Sequence, residues 1–413
     1  MNKHILVVAQ YFYPEQFRIN DICEEWVKRG YKVTVLTGIP NYPQGKYYKG
    51  YGLFRKRREN HKGIDIRRIP LVPRGKSSFM LILNYLSFVI SGFFFSKLTR
   101  LHADHVFIYE VSPMTQALPG IWFARRRNIP CTLYVTDLWP ENVEIAGGIR
   151  NNYVLHLIGK MVDYIYRNCD LILTSSRSFV EKIAERSVCK QKLEYWPHYA
   201  EDFYKQMPKA SAKDNLIPQD GRFNILFAGN IGFAQGLEIL PETAQILKQR
   251  RCNSVRFNLV GDGRAKANLI EQVKRNDVEE FFNFVEKQPA TRIPFLMSAC
   301  DTALICLTRS TVFELTLPSK TQSCLACGTP IIVSADGEIC SVIKEAGAGL
   351  CSPAGDPEEL ASIILEMSNL PKEKLHEMGR RALDYYEKNF DKNRLLDRMD
   401  DLLRQQKGDF THV

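Results

Sequence analysis

Asn224-Ile225-Leu226-Phe227-Ala228-Gly229 runs into Asn230-Ile231-Gly232-Phe233-Ala234-Gln235-Gly236, and a helix pattern follows. A short apolar run closed by such a turn reads as a strand buried on both faces of a parallel sheet. The same pattern opens the chain. His4-Ile5-Leu6-Val7-Val8-Ala9 leads into Gln10-Tyr11-Phe12-Tyr13-Pro14-Glu15-Gln16-Phe17-Arg18, and then into a helix. Two such starts predict an α/β chain of two doubly wound, Rossmann-like domains, with a cleft between the C-terminal ends of their strands. Ligands of open α/β sheets sit at that edge.

Further strands are expected at residues 33–37, 64–69, 105–109, 131–135, 171–174 and 192–195 in the first half, with helices at 21–29, 116–126 and 153–168. The second half adds strands at 256–260, 282–285, 302–306, 330–333 and 349–351. Residues 200–221 are poor in apolar side chains and read as a linker. The predicted domains are therefore 1–199, 222–384, and terminal helices at 385–413 that cross back to the first domain.

The 413 residues carry a net charge of +10, unevenly spread. Residues 1–200 hold 29 Lys+Arg against 16 Asp+Glu, and residues 201–413 hold 27 against 30. The basic clusters Arg55-Lys56-Arg57-Arg58, Arg67-Arg68 and Arg125-Arg126-Arg127 suit an anionic membrane surface, with a solvated basic face as the alternative. No nucleic-acid motif accompanies them, so nucleic acid is not expected as a partner. Residues 79–95 contain thirteen apolar side chains, with Asn84, Ser87 and Ser91 on one helical stripe. This segment is expected to be a buried core helix, with a helix lying on a bilayer as the alternative; it is short for a membrane span. Eleven cysteines are scattered, and the lone Cys324-Leu325-Ala326-Cys327 has no partner pair, so neither a disulfide framework nor a zinc site is expected. The first apolar run is too short for a signal peptide. A cytosolic chain is expected.

Three loops are candidates for chemistry. The first has no glycine between His4 and Gly30, which counts against a dinucleotide cofactor. It offers aromatic rings with Glu15 and Arg18 instead. The second, Gly229 to Gly236, presents bare amides before a helix and suits a phosphate. The third is Leu317-Pro318-Ser319-Lys320-Thr321-Gln322-Ser323, a helix start where Lys320 opposes the helix dipole. An anion would explain that lysine, with an exposed first-turn residue as the alternative. Glu338 follows the turn after the next strand, again on the ligand side. Asp137, just past the run 131–135, is expected at the same edge of the first sheet, with capping of the helix after Pro140 as the alternative.

These segments resemble the GT-B glycosyltransferases of glycosyltransferase family 4. The resemblance covers nearly the whole chain. It lies in the Tyr-Pro-Glu loop (Tyr13 to Glu15), Arg29 to Thr37, the Gly229-Asn230 start, Val260-Gly261-Asp262-Gly263 and Leu325-Ala326-Cys327-Gly328-Thr329-Pro330. A narrower resemblance, to L-fucosamine transferases of bacterial surface polysaccharide synthesis, lies in residues 11–15, Pro40-Asn41-Tyr42-Pro43, Asp137-Leu138-Trp139-Pro140-Glu141, Gly236-Leu237-Glu238 and Pro318 to Ser323.

The resemblance implies transfer of a sugar, N-acetyl-L-fucosamine from a UDP donor, to a lipid-linked oligosaccharide in O-antigen or capsule assembly, with retention at the anomeric carbon. It implies a UDP-sugar as substrate, no cofactor, and a peripheral position at the inner face of the plasma membrane. The donor would meet Gly229, Asn230, Gly232, Gln235, Gly236, Gly261, Pro318, Ser319, Lys320, Ser323 and Glu338. Glu15, Arg18, Asn41 and Tyr42 would serve the acceptor or a phosphate, and Asp137, Glu141 and Lys320 the chemistry. No metal is expected, and there is no Asp-x-Asp sequence to chelate one.

The chain departs from the family at four positions. The arginine and lysine that hold the donor diphosphate align with neutral Asn230 and Gln235. The second member of the two-glutamate signature aligns with Ser323, and the first falls at Leu315, beside Glu314. Phosphate charge is therefore expected to be met by Lys320, with Arg18 as a further candidate. A sugar-nucleotide epimerase and a non-catalytic assembly partner are the alternative readings.

Overall fold

The computed structural model describes residues 3–75, 77–145, 151–208 and 216–406. It divides into two compact units, residues 1–196 with 399–413, and residues 197–398. The expected linker at 200–221 thus falls within the second unit, and its residues 209–215 lie outside the described ones.

The first unit contains β1 (His4–Val8), β2 (Lys32–Gly38), β3 (Arg58–His61), β4 (Ile64–Ile69), β5 (His105–Glu110), β6 (Cys131–Val135), β7 (Leu171–Thr174) and β8 (Leu193–Tyr195). They form one sheet in the order β3-β4-β2-β1-β5-β6-β7-β8. Only β3 is antiparallel, and it closes the edge beside β4, whose alternating sequence suits that position. Strand β3 was not expected, because its charged sequence Arg58-Glu59-Asn60-His61 looks like loop. The helices are α1 (Arg18–Lys28), α2 (Ser78–Leu98), α3 (Ala117–Arg127), α4 (Glu141–Ile145), α5 (Asn152–Arg167) and α6 (Arg177–Ala184). Helix α1 buries Ile19, Ile22, Cys23 and Trp26, the spacing of one helical face. Trp26 meets Phe107 of β5 edge-on at 4.9 Å.

The second unit contains β9 (Phe223–Asn230), β10 (Val255–Asp262), β11 (Phe282–Val285), β12 (Thr302–Cys306), β13 (Ile331–Ser334) and β14 (Gly349–Ser352). All are parallel, in the order β11-β10-β9-β12-β13-β14. Helices α7 (Leu240–Gln249), α8 (Lys266–Arg275), α9 (Ile293–Ser298), α10 (Thr311–Glu314), α11 (Lys320–Ala326), α12 (Glu338–Ala346), α13 (Pro357–Ser368) and α14 (Lys372–Asn389) accompany this sheet. Two apolar clusters, around Leu226, Ile305 and Val333 and around Phe227, Phe257 and Leu304, fill its core. Helix α15 (Lys392–Gln405) crosses the unit boundary, and its Asp400 pairs with Arg29 at 2.8 Å within the first unit.

Helix α2 overturns the expectation of a core helix. It is 21 residues long, with a mean hydropathy of 1.8 over its best window, and only 17% of that window is buried. It is also longer than its apolar run suggested, enough in length and composition to cross a membrane. The face turned to the protein carries mostly polar and small residues: Asn84, Gly92 and Ser96 are buried, with Phe88 the one large apolar side chain among them, whereas Phe79, Ile82, Leu86, Ile90, Phe93, Phe94 and Leu98 are exposed. Polar bonding explains the orientation. Asn84 donates to the Val72 carbonyl at 2.5 Å and accepts from Gln10 Nε2 at 2.7 Å, and Ser87 accepts from the Val72 amide. Arg126 of α3 donates to the Ser96 carbonyl. At Gly92 an added Cβ would lie 2.3 Å from Pro119 of α3, so only glycine lets the two helices approach.

Asn84→Leu should therefore destabilise the chain by about 1–3 kcal/mol, because it strands buried polar partners. Ile82→Asn on the outer face should change unfolding in urea by less than about 0.5 kcal/mol. Equal losses for the two variants would refute the inverted orientation.

Candidate functional site

In each sheet the chain reverses its winding once, between β1 and β5 and between β9 and β12. Loops leaving neighbouring parallel strands in opposite directions open a crevice there. In the second unit the crevice is flanked by the loop after β9 and the segment after β12. That is why Gly229 and Lys320, distant in sequence, come together.

Lys320 is the first residue of α11. Its Nζ donates to Gln235 Oε1 at 3.0 Å and lies 4.0 Å from the centre of the Phe227 ring. A Cβ on Gly229 would stand 2.7 Å from Lys320 Cε and 2.8 Å from Nζ. Glycine at 229, with φ +145°, is thus what lets the ammonium reach the strand end. Burial pulls the Lys320 ammonium down to about 8, partly offset by the Cys324 and Cys306 thiols. No carboxylate pairs with it among the described residues.

The other donor candidates gather unevenly around this point. Gly229 and Asn230 are exposed at the end of β9, in register with Gly261 and Asp262 of β10. Gly232 precedes a short 3-10 turn over Phe233–Gln235, which Gly236 ends in the left-handed conformation. Ser319 is the exposed N-cap of α11 but makes no side-chain cap, and Pro318 precedes it. Ser323, one turn further in, is buried, with its hydroxyl directed to the Ser319 carbonyl at 3.4 Å. Glu338 is buried at the start of α12. Gly337 before it packs on the Glu314 carbonyl so closely that a Cβ would sit 1.9 Å away. Glu314 is thereby held against the Glu338 turn.

In the first unit Glu15 is buried, and its carboxylate is fully engaged. Oε1 accepts from the amides of Asn41 at 2.8 Å and Tyr42 at 2.6 Å, and Oε2 from Phe12 at 3.3 Å. Burial pushes its carboxyl up to about 7 despite those three amides. Glu15 therefore shapes the Asn41-Tyr42 loop. Asn41 is likewise buried: its Oδ1 accepts from the Arg74 amide at 2.9 Å, and its Nδ2 donates to the Ile39 carbonyl. Tyr42 is partly exposed, packed against Tyr11 and Phe17 at 5.4 and 5.5 Å between ring centres. Arg18 begins α1, within electrostatic reach of Tyr134.

Asp137 does not cap α4. Its Oδ2 accepts from the Ser112 amide at 2.8 Å, joining the loops after β5 and β6, while its own amide donates to Glu110 Oε2 at 3.3 Å. Oδ1 has no hydrogen-bond partner among the described residues. Glu141 opens α4 one turn away, half-buried. Glu110 was not anticipated. It ends β5 fully buried, and burial together with the Asp137 charge raises its carboxyl well above the usual range. Its Oε1 has no partner among the described residues. The sequence signal was a single acidic residue closing the apolar run 105–109, which looked like the first loop residue.

Cys324 and Cys327 are buried, and burial pushes the Cys324 thiol up to about 12. No three His, Cys, Asp or Glu side chains gather as metal ligands among the described residues.

Residues 16–197 match the glycosyl transferase 4-like domain, and residues 209–384 match the glycosyl transferases group 1 family. WcaI of Escherichia coli K12, named as a glycosyl transferase of colanic acid biosynthesis, is 28% identical over 95% of this chain and 97% of its own. WbjE of Pseudomonas aeruginosa, named as a glycosyltransferase, is 28% identical over 61% of this chain and 63% of its own. Among solved structures, a sucrose-phosphate synthase from Thermosynechococcus elongatus superposes with a TM-score of 0.77 at 16% identity, covering 98% of this chain and 99% of its own. Alr3699/HepE of Anabaena, in complex with UDP and glucose, gives 0.71 at 16% identity, covering 98% and 100%. With a 4-like domain followed by a group 1 domain on two parallel-sheet Rossmann-like units, the chain belongs to the glycosyltransferases of GT-B fold.

Proposed function

We propose that this glycosyltransferase moves N-acetyl-L-fucosamine from a UDP donor to a lipid-linked oligosaccharide during assembly of a surface polysaccharide such as O-antigen or capsule. The second unit takes the donor and the first takes the acceptor. The observation that carries this reading is the Lys320 ammonium, 3.0 Å from Gln235 and against Gly229. Its charge is supplied from α11 beside a loop whose own Asn230 and Gln235 are neutral.

Transfer breaks the bond between the anomeric carbon and the donor phosphate oxygen while an acceptor hydroxyl oxygen bonds to that carbon. The hydroxyl proton leaves with the nucleoside diphosphate. Charge grows on the departing diphosphate, and a fixed ammonium with bare loop amides lowers the barrier most where that charge develops. Asp137, with Oδ1 open, accepts a hydrogen bond from the sugar or acceptor, and Glu141 stands beside it. Metal independence is part of the proposal, supported by the absence of an Asp-x-Asp sequence. The polysaccharide setting is supported by the colanic acid relative, and the UDP donor by the HepE structures in complex with UDP and glucose and with UDP-glucose.

A position at the inner face of the plasma membrane is supported by α2. Its seven exposed large apolar side chains lie on a helix whose end carries Lys97, near Arg126 and Arg127 of α3. Its inward bonding to α3 and Val72 favours lying along the bilayer surface over spanning it.

Lys320→Ala should lower turnover by two orders of magnitude or more with the fold retained; near-normal turnover would reject its role. In the free wild-type enzyme, kcat/KM should fall above pH about 8 as the Lys320 ammonium deprotonates. A profile without that limb would reject the ammonium as the active form. In thermal unfolding, UDP at 100 times its dissociation constant should stabilise by about 2.7 kcal/mol. Incubation with UDP-N-acetyl-L-fucosamine and a lipid-linked sugar should release UDP and extend the acceptor. A new sugar nucleotide formed without acceptor would indicate an epimerase, and no UDP release a non-catalytic partner.

A further inference from the structure

Arg74 stands out among the cations of the first unit. Its neighbours Arg67 and Arg68 pair with Asp65 at 3.0 Å and Glu59 at 2.8 Å. Arg74 is half-buried and has no carboxylate partner among the described residues. Its surroundings are phenols. Nη1 donates to Tyr11 Oη at 3.4 Å, and the guanidinium carbon lies 5.3 Å from the centre of the Tyr42 ring. Tyr85, from α2, is within electrostatic reach of both Arg74 and Asp137.

The cluster is built rather than accidental. The Arg74 amide is fixed by Asn41 Oδ1, which also accepts from Asn84 Nδ2 of α2 at 3.4 Å. Tyr42 is fixed through its amide by Glu15. A guanidinium withdrawn from water without a counter-charge costs stability, and an anionic ligand relieves that cost. Tyr11 is buried, and its Oη accepts from both Arg74 Nη1 and Gln10 Nε2 at 3.4 Å, which holds the guanidinium in place. A planar guanidinium with phenolic donors matches a phosphate, and the partly exposed Tyr42 ring offers a face for an apolar or sugar surface.

Five residues after Arg74, α2 begins to present its exposed apolar side chains, Phe79, Ile82 and Leu86. An anion site joined in sequence to an apolar face fits one kind of molecule, an amphiphile with a phosphate head and a hydrocarbon tail. We propose that Arg74, with Tyr11, Tyr42 and Tyr85, binds the diphosphate of the lipid-linked acceptor. This inference rests on the acceptor-side reading of the first unit given above, and it adds the residue that recognises the lipid end.

The test is direct binding of farnesyl diphosphate to the full chain by calorimetry, with no donor present. Arg74→Ala should weaken that binding about tenfold or more, and Arg74→Lys should recover part of it. Farnesol should not compete. Arg74→Gln, with circular dichroism, provides a second variant should the alanine protein fold poorly.

Farnesyl diphosphate binding that is indifferent to Arg74 overturns the proposal. So does inorganic pyrophosphate binding as tightly as farnesyl diphosphate in an Arg74-dependent way, which would mark a free-anion site. Arg74-dependent sedimentation with phosphatidylglycerol vesicles, without farnesyl diphosphate binding, would assign the site to bilayer headgroups and overturn it too. If Arg74 proves irrelevant while the wild type still transfers sugar, only this site falls. If the wild type binds farnesyl diphosphate through Arg74 but releases no UDP, the transfer reading falls and the site stands.

Discussion

Parallel pairing of buried strands is the constraint from which the rest follows. When β1 lies beside β2 and β5, and β9 beside β10 and β12, every turn from strand to helix emerges at the same edge of its sheet. Each reversal of winding then parts two of those turns. Polar side chains and bare amides collect there because the strands themselves have no room for them. Asn230, Gln235 and Lys320 in one unit, and Glu110, Asp137 and the Glu15 loop in the other, all occupy such strand-end positions.

Within the second unit, one substitution of means stands out physically. A loop without cations is served by a cation from another helix, and the approach depends on glycine at 229. A side chain there would occupy the space of Lys320 Cε and Nζ. Keeping an ammonium withdrawn from water and away from carboxylates makes it less basic and more responsive to an anion. The same arrangement explains why a lysine tolerates the first turn of α11, where the helix dipole opposes it.

The first unit applies the opposite economy. Its acidic groups are largely committed to holding loops: Glu15 to three amides, Asp137 to Ser112, and Glu110 to the Asp137 turn. Asp137 Oδ1, the Tyr42 ring and the Arg74 guanidinium are among the described groups that no carboxylate or amide engages. Helix α2 joins this set to a different surface. Its polar stripe bonds inward while its apolar residues face outward, the reverse of a helix in a water-soluble core.

The sequence by itself determined the parallel strands and the α/β plan of two sheets, because buried parallel strands leave continuous apolar runs whose ends are easily read, whereas the charged edge strand β3 left no such run. Ile64–Ile69, Cys131–Val135, Leu171–Thr174, Phe282–Val285 and Thr302–Cys306 fall where their patterns place them. It also showed that the loop from Gly229 to Gly236 contains no cation. Only the tertiary structure decided which face of α2 turns inward, since Asn84 and Ser87 find partners on Gln10 and Val72, residues remote from any helical pattern. Tertiary structure also decided that Glu15 is a loop clamp, that Glu110 belongs to the Asp137 edge, and that Arg74 faces phenols instead of carboxylates. Such roles are set by partners brought near through folding, and local spacing along the chain contains no record of them.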